Sequence, residues 1–196
     1  EDTAIKLQTK GKDVLGVLDW MIENAPSKDY KVIATRVRQK IKNAYKNNRK
    51  QAPKFTVFSS EKQLEDLADA VLSKDPSRLD GTVLEGASPE RALRLAVYLS
   101  KSIKEGKFFG VSFGATAEGP GFIALDGITN PASFDTLLHE SIHQSTQVEL
   151  NNNPQGPLSK KLDRLRRALQ SRRLKLRREG KLSREFDGVL ENALSN

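Results

Sequence analysis

The sequence predicts an α+β protein in which a small, mostly antiparallel sheet is combined with a larger helical part. Apolar residues recur at intervals of three and four along most of the 196 residues, which is typical of amphipathic helices. Only short runs are rich in β-branched and aromatic residues, so the sheet must be small. Two of these runs, 108–113 and 121–126, flank a segment of small residues, and this arrangement is typical of a β-hairpin.

The N-terminal fifty residues predict a helical hairpin. One apolar stripe spans 13–24 and a second spans 28–46, and Ala25-Pro26 separates them. Asp13 is a suitable N-cap for the first helix. We expect this hairpin, residues 1–50, to be a preface, followed by a polar linker and a second domain over 55–196.

The second domain is predicted to begin with a strand and to end in helices. The expected order is a strand, two helices, the β-hairpin, a motif helix that starts at Ser133, a loop, and two further helices. The strand is predicted over 55–58, the two helices over 61–72 and 88–104, and the β-hairpin over 108–126. The motif helix is predicted over 133–150, the loop over 151–157, and the last two helices over 158–178 and 183–194. The helix over 158–178 is strongly basic, and we expect its leucines to form a buried side. They are Leu158, Leu162, Leu165, Leu169 and, less regularly, Leu174 and Leu176.

Composition excludes several classes of protein. Cysteine is absent, so a disulfide framework is excluded and any metal must be held by nitrogen and oxygen ligands. No apolar run is long enough to span a bilayer. We therefore expect a soluble protein, consistent with the cytoplasm or the interior of a virion. The first residue is Glu1 rather than Met, which suggests a piece of a longer polypeptide.

The formal charge of +8 is concentrated in two stretches. Residues 31–54 contain nine Lys and Arg and no acid, and residues 160–184 contain twelve against two acids. Such stretches attract phosphate backbones and acidic surfaces. Tyr45 is the only aromatic residue in either stretch, so stacking on bases has little support. We expect weak, non-specific contact with nucleic acid or another acidic surface, or simply solvated helix faces.

The motif helix carries the pattern His-Glu-x-x-His at His139, Glu140 and His143. His139 and His143 are the only two histidines in the sequence. Residues four apart lie one helical turn above each other, so both imidazoles can bind one cation. Glu140 lies between them, where its carboxylate can accept a proton from a water molecule at the metal. Ser133 and the residues just before it, 130–132, form a helix start signal. We also expect 121–125 to lie beside the metal as an open sheet edge for a peptide.

This pattern, with a strand just upstream and an apolar helix face, resembles the zincin superfamily of zinc peptidases. The wider context, 121–126 followed by 134–146, is similar to the zincin-type domains embedded in very large phage and mobile-element proteins, and the similarity covers roughly 55–196. The resemblance implies that His139 and His143 bind Zn²⁺ and that Glu140 is the general base.

A zincin needs a third protein ligand, and no later histidine exists to supply it. In the thermolysin-like group the ligand is a glutamate on a later helix; twenty residues after His143 this chain has Asp163, the first choice. Glu185 and Glu191 are rivals. A fourth alternative is a ligand beyond residue 196, in which case the domain is truncated at its C-terminus.

The resemblance therefore favours an enzyme, a zinc metallopeptidase that hydrolyses a protein or peptide substrate and belongs to a larger polypeptide. The alternative is a catalytically inactive zincin-like module of a virion-associated or injected protein. Such a module would use its basic helices to hold nucleic acid or neighbouring subunits.

Overall fold

A computed structural model of the chain describes residues 13–46, 52–106, 109–129 and 133–195. Within them the chain forms seven α-helices and three β-strands, which is the predicted α+β class. The elements are α1 (Val14–Glu23), α2 (Lys28–Ala44), β1 (Lys54–Phe58), α3 (Glu61–Leu72), α4 (Pro89–Lys104), β2 (Gly110–Phe113), β3 (Phe122–Asp126), α5 (Phe134–Asn152), α6 (Pro157–Arg178) and α7 (Arg184–Ser195). Most of the predicted linker, Phe108 and residues 130–132 lie outside the described ranges.

The three strands form a mixed sheet in the order β1-β3-β2. β3 pairs in parallel with β1 and antiparallel with β2. The expectation of a mostly antiparallel sheet was therefore wrong, because β1 joins β3 through a long-range parallel pairing. The expectation that 121–125 forms an open edge was also wrong, because β3 is the central strand and β2 lies at the edge.

Each face of β3 packs on a different set of helices. Ile123 and Leu125 belong to a buried cluster with α1, α2 and the start of α5, whereas Phe122 and Ala124 belong to a cluster with α3 and α4. All five residues of β3 are buried. This is the near-continuous apolar pattern of a central strand that is covered on both faces.

The helical hairpin, predicted as a preface over 1–50, shares the first of these clusters. Phe134 at the start of α5 lies 5.4 Å from Tyr30 of α2 and 6.3 Å from Trp20 of α1, measured between ring centroids. The structure divides the chain at another position, between Val148 and Glu149.

The second unit, 149–196, contains α6 and α7. Arg173 of α6 is buried and donates to Asp187 and Glu191 of α7. The expected buried side of α6 was wrong for four of its leucines, which are exposed: Leu162, Leu165, Leu169 and Leu174. Three of them precede the C-terminal part of the helix that α7 covers at Arg173, and the fourth, Leu174, lies on a different side of the helix.

None of the described helices has both the length and the apolar character that crossing a bilayer requires.

Candidate metal centre

The motif helix α5 begins as its sequence predicts. The Ser133 hydroxyl accepts a hydrogen bond from the backbone N–H of Thr136 at 3.1 Å, and the N–H of Leu137 donates to the Ser133 carbonyl. The Ser133 hydroxyl therefore satisfies one of the backbone donors that the first turn of a helix leaves free, and its carbonyl accepts the first bond of the helix. Leu137 and Leu138 are buried against the sheet, which fixes the rotation of α5.

With that rotation, His139 and His143 lie on the exposed side of α5. Their ring centroids are 4.5 Å apart and their Nε2 atoms are 2.9 Å apart. The two nitrogens are thus within hydrogen-bond distance of each other. Two nitrogens that bind one tetrahedral zinc ion at about 2.0–2.1 Å lie about 3.3 Å apart. The imidazole pair therefore fits a zinc ion with a shift of only a few tenths of an ångström.

Glu140 points in a different direction from the histidines on either side of it. It is 8% exposed, and its Oε1 lies 4.0 Å from Nε2 of His139. Burial raises the pKa of the Glu140 carboxyl above its ordinary value, and the nearby His143 and His139 oppose that rise. A buried carboxylate with a raised pKa is a stronger base than one in water, which suits a group that must accept a proton.

The surroundings of Glu140 include a strand that sequence reasoning did not connect with the site. Gly110 and Ser112 of β2, and Gly114 just after the strand, face α5. A Cβ on Gly110 would come within 3.0 Å of Glu140, and the Ser112 hydroxyl donates to Gln144 Oε1 at 2.8 Å. The alternation of small residues in Gly-Val-Ser-Phe-Gly was the available signal, because it marks a strand face on which a helix can pack closely.

The edge of β2 carries backbone groups that are not used by β3. The N–H of Asp126 donates to the carbonyl of Phe109 at 2.9 Å. Along an antiparallel strand, every second residue directs its backbone N–H and C=O towards the neighbouring strand. Phe109 does so, and Val111, two residues later, therefore also directs its backbone groups towards β3. The backbone groups of Gly110 and Ser112 point to the opposite side.

The predicted third ligands lie in the second unit. Asp163 is 2.7 Å from the guanidinium of Arg167 and 3.6 Å from that of Arg166, both on its own helix. Glu191 accepts a hydrogen bond from Arg173 at 3.0 Å. The side chain of Glu185 falls outside the described part of the chain. Within the described ranges, no three His, Cys, Asp or Glu side chains form a group that could hold a metal ion.

Comparisons with protein-family models, with curated proteins and with solved structures gave no significant match.

Proposed function

We propose that this chain is a zincin-type metallopeptidase domain of a larger phage or mobile-element protein, and that it hydrolyses peptide bonds. The observation that carries the proposal is the convergence of two imidazole nitrogens, 2.9 Å apart, on the exposed side of a helix whose intervening glutamate is buried. His139 and His143 would hold Zn²⁺.

Glu140 is the general base in this proposal. A bound zinc ion supplies Lewis acidity to the scissile carbonyl and lowers the pKa of water. A Glu140 carboxylate oxygen accepts the proton of the attacking water and then delivers it to the leaving amine nitrogen. Its burial supports this role, because the raised pKa brings the carboxyl closer to the pH at which both transfers are efficient.

The edge of β2 supports a peptide as the substrate. Gly110 and Ser112 direct backbone donors and acceptors away from β3, and Gly110 lies against Glu140. An extended peptide that pairs with this edge as a further strand would pass beside the general base. This role replaces the one that the sequence suggested for 121–125.

A complete zinc site needs one more protein ligand. Asp163, Glu185, Glu191 and a residue beyond 196 remain the proposed sources. For Asp163 and Glu191 the arginine contacts would have to be exchanged for the metal, which costs their charge-assisted hydrogen bonds.

Zinc binding and cleavage test the proposal separately. Zinc content is measured by elemental analysis, and cleavage by mass spectrometry on a mixture of unstructured peptides. With Asp163, Glu185 or Glu191 as the third ligand, the native chain should bind one zinc ion and cleave. His143→Ala should lose both, and Glu140→Gln should keep the metal while losing about 10²-fold or more in rate. Glu149→Gln, a glutamate on the same helix, is the matched control and should change neither.

Several results would refute the peptidase. Equal zinc binding by the native chain and by the double variant His139→Ala/His143→Ala would remove the metal site. Zinc binding without any peptide cleavage, or cleavage that Glu140→Gln leaves intact, would remove the mechanism.

A second candidate function rests on α6. This helix has ten Lys and Arg residues and one acid, so an inactive zincin-like module could hold nucleic acid or a neighbouring subunit through it. Contact with nucleic acid predicts binding to duplex DNA that weakens steeply with salt.

A further inference from the structure

Three exposed leucines form a stripe on α6, which we call the leucine seam: Leu162, Leu165 and Leu169. Their exposed fractions are 42%, 51% and 55%. At 100° per residue these positions fall within an arc of about 60°, so they lie in a single row along the helix. The spacing of three and four is the pattern by which one helix packs along another.

Basic side chains border this row on both sides. Lys161 and Arg166 occupy the positions next to the seam that pair with a partner helix in a coiled coil. Asp163 is the only acid on α6, and its carboxylate already contacts Arg166 and Arg167. A partner that covers the seam therefore meets a strongly positive border.

The C-terminal part of α6 shows which chemistry covers such a surface within this chain. There α7 places Asp187 2.5 Å and Glu191 3.0 Å from the guanidinium of Arg173, and the Arg173 side chain is only 8% exposed. An acidic helix thus already packs on the second half of α6. The first half carries the same combination of leucine and basic residues, and there the leucines are not covered by any described part of the chain.

The alternatives fit these observations less well. A second copy of α6 would bring Lys161 and Arg166 against their own equivalents, and like charges at these positions oppose pairing. Nucleic acid would bind the basic residues but leave the leucines in water. A lipid surface favours a broad apolar face, whereas this one is a single row.

We infer that the leucine seam is a docking site for an acidic amphipathic helix of a partner protein, with apolar residues in heptad spacing and Glu or Asp beside them. This inference does not depend on the peptidase proposal, because the seam shares no residue with the metal centre.

The probe is a synthetic peptide of three heptads with Leu at the two core positions and Glu at the flanking positions, and the matched peptide has Lys in place of Glu. Binding to the full 196-residue chain is measured by fluorescence anisotropy. The Glu peptide should bind and the Lys peptide should not. Leu165→Asn should weaken binding about tenfold, as expected for loss of one buried leucine.

Leu174→Asn is the matched control. Leu174 is also exposed, at 44%, but it lies roughly 120–180° around the helix from the seam, so its substitution should leave the affinity within about twofold. The double charge reversal Lys161→Glu/Arg166→Glu should transfer binding from the Glu peptide to the Lys peptide. Circular dichroism confirms that each variant keeps its helix content.

Equal effects of Leu165→Asn and Leu174→Asn would overturn the inference, as would equal binding of both peptides. The Glu peptide could fail to bind while the chain binds phosphatidylglycerol vesicles or duplex DNA. If Leu165→Asn then weakened that binding tenfold, the seam would be assigned to a different partner. Self-association that Leu165→Asn abolishes would assign it to a second copy. Each of these results refutes an acidic partner helix.

Discussion

Gly110 of β2 lies against Glu140 of α5 so closely that a Cβ on the glycine would come 3.0 Å from Cγ of the glutamate. The same Cβ would be 2.9 Å from Cγ2 of Thr136 and 2.7 Å from Cδ2 of Leu125. The missing side chain is therefore what allows the helix of the proposed general base to approach the edge strand. A larger residue here must displace the side chains of Leu125, Thr136 and Glu140, or the helix and strand that carry them.

We expect Gly110→Ala to lower the free energy of unfolding by about 1–3 kcal/mol, the usual cost of overpacking. Gly188→Ala is the control: no atom lies within 4 Å of its added Cβ, and alanine in a helix interior stabilises by up to about 1 kcal/mol. Urea unfolding of the two variants measures both effects. Equal stability of Gly110→Ala and the native chain would show that the helix and strand are not in tight contact.

Arg91 and Arg94 offer a matched pair on α4. Arg91 is 5% exposed and donates to the carbonyls of Gly114 and Pro120 and to the hydroxyl of Thr116, so it holds together the loop that joins β2 to β3. Burial lowers the pKa of its guanidinium. We expect Arg91→Met to cost about 2–4 kcal/mol, because charge-assisted hydrogen bonds to buried acceptors are lost.

Arg94 makes a single exposed ion pair with Glu118 at 2.6 Å, so Arg94→Met should cost less than about 1 kcal/mol. Chemical denaturation of both variants tests the difference. If the two substitutions cost the same, the buried contacts of Arg91 do not stabilise the fold.

The features that the sequence predicted well depend on residues close together in the chain. Asp13 caps α1 by accepting a hydrogen bond from Gly16 N–H at 2.7 Å, and helix α3 has the predicted bounds 61–72. The convergence of His139 and His143 has the same origin, because two side chains four residues apart meet whenever the segment is helical.

The features that the sequence did not predict depend on residues far apart in the chain. β2 and β3 pair as the hairpin pattern indicates, but β1 lies about seventy residues before β3 and still becomes its parallel neighbour. Periodicity defines which face of a strand is apolar but not which strand lies beside it. The contact between Gly110 and Glu140 could be found only once the order of the strands was known.

The same limit explains the leucines of α6. A row of leucines shows that a helix has an apolar side, but it does not show what covers that side. Leu165 was expected to be buried, and it is 51% exposed.

The ion pair of Arg173 and Asp187 predicts an acid-sensitive second unit. The hydrogen bond from Arg173 holds the pKa of the Asp187 carboxyl below its ordinary value. A depressed pKa means that the stabilisation is complete above the unfolded pKa of about 3.9 and is lost as the pH falls through the lower folded value. Titration of the Asp187 carboxyl by NMR should give that lowered pKa in the native chain and a higher one in Arg173→Gln, in which only the nearby Arg177 still lowers it. A normal value in both proteins would contradict the ion pair.

The hydroxyl of Tyr30 donates to Oδ1 of Asp135 in the first turn of α5, and it thereby connects the helical hairpin to the motif helix. This hydrogen bond is the main cause of a raised Tyr30 pKa. Because the folded pKa lies above the unfolded value of about 10, the contribution to stability is complete below that pH and is lost as the pH rises through the folded value.

The ultraviolet difference titration between the native chain and Tyr30→Phe isolates the ionisation of this tyrosine. We expect a midpoint above 10, and Asp135→Asn should return it to the ordinary value because the carboxylate that disfavours the phenolate is gone. A midpoint that Asp135→Asn leaves unchanged would mean that the hairpin and the motif helix are not joined through this pair.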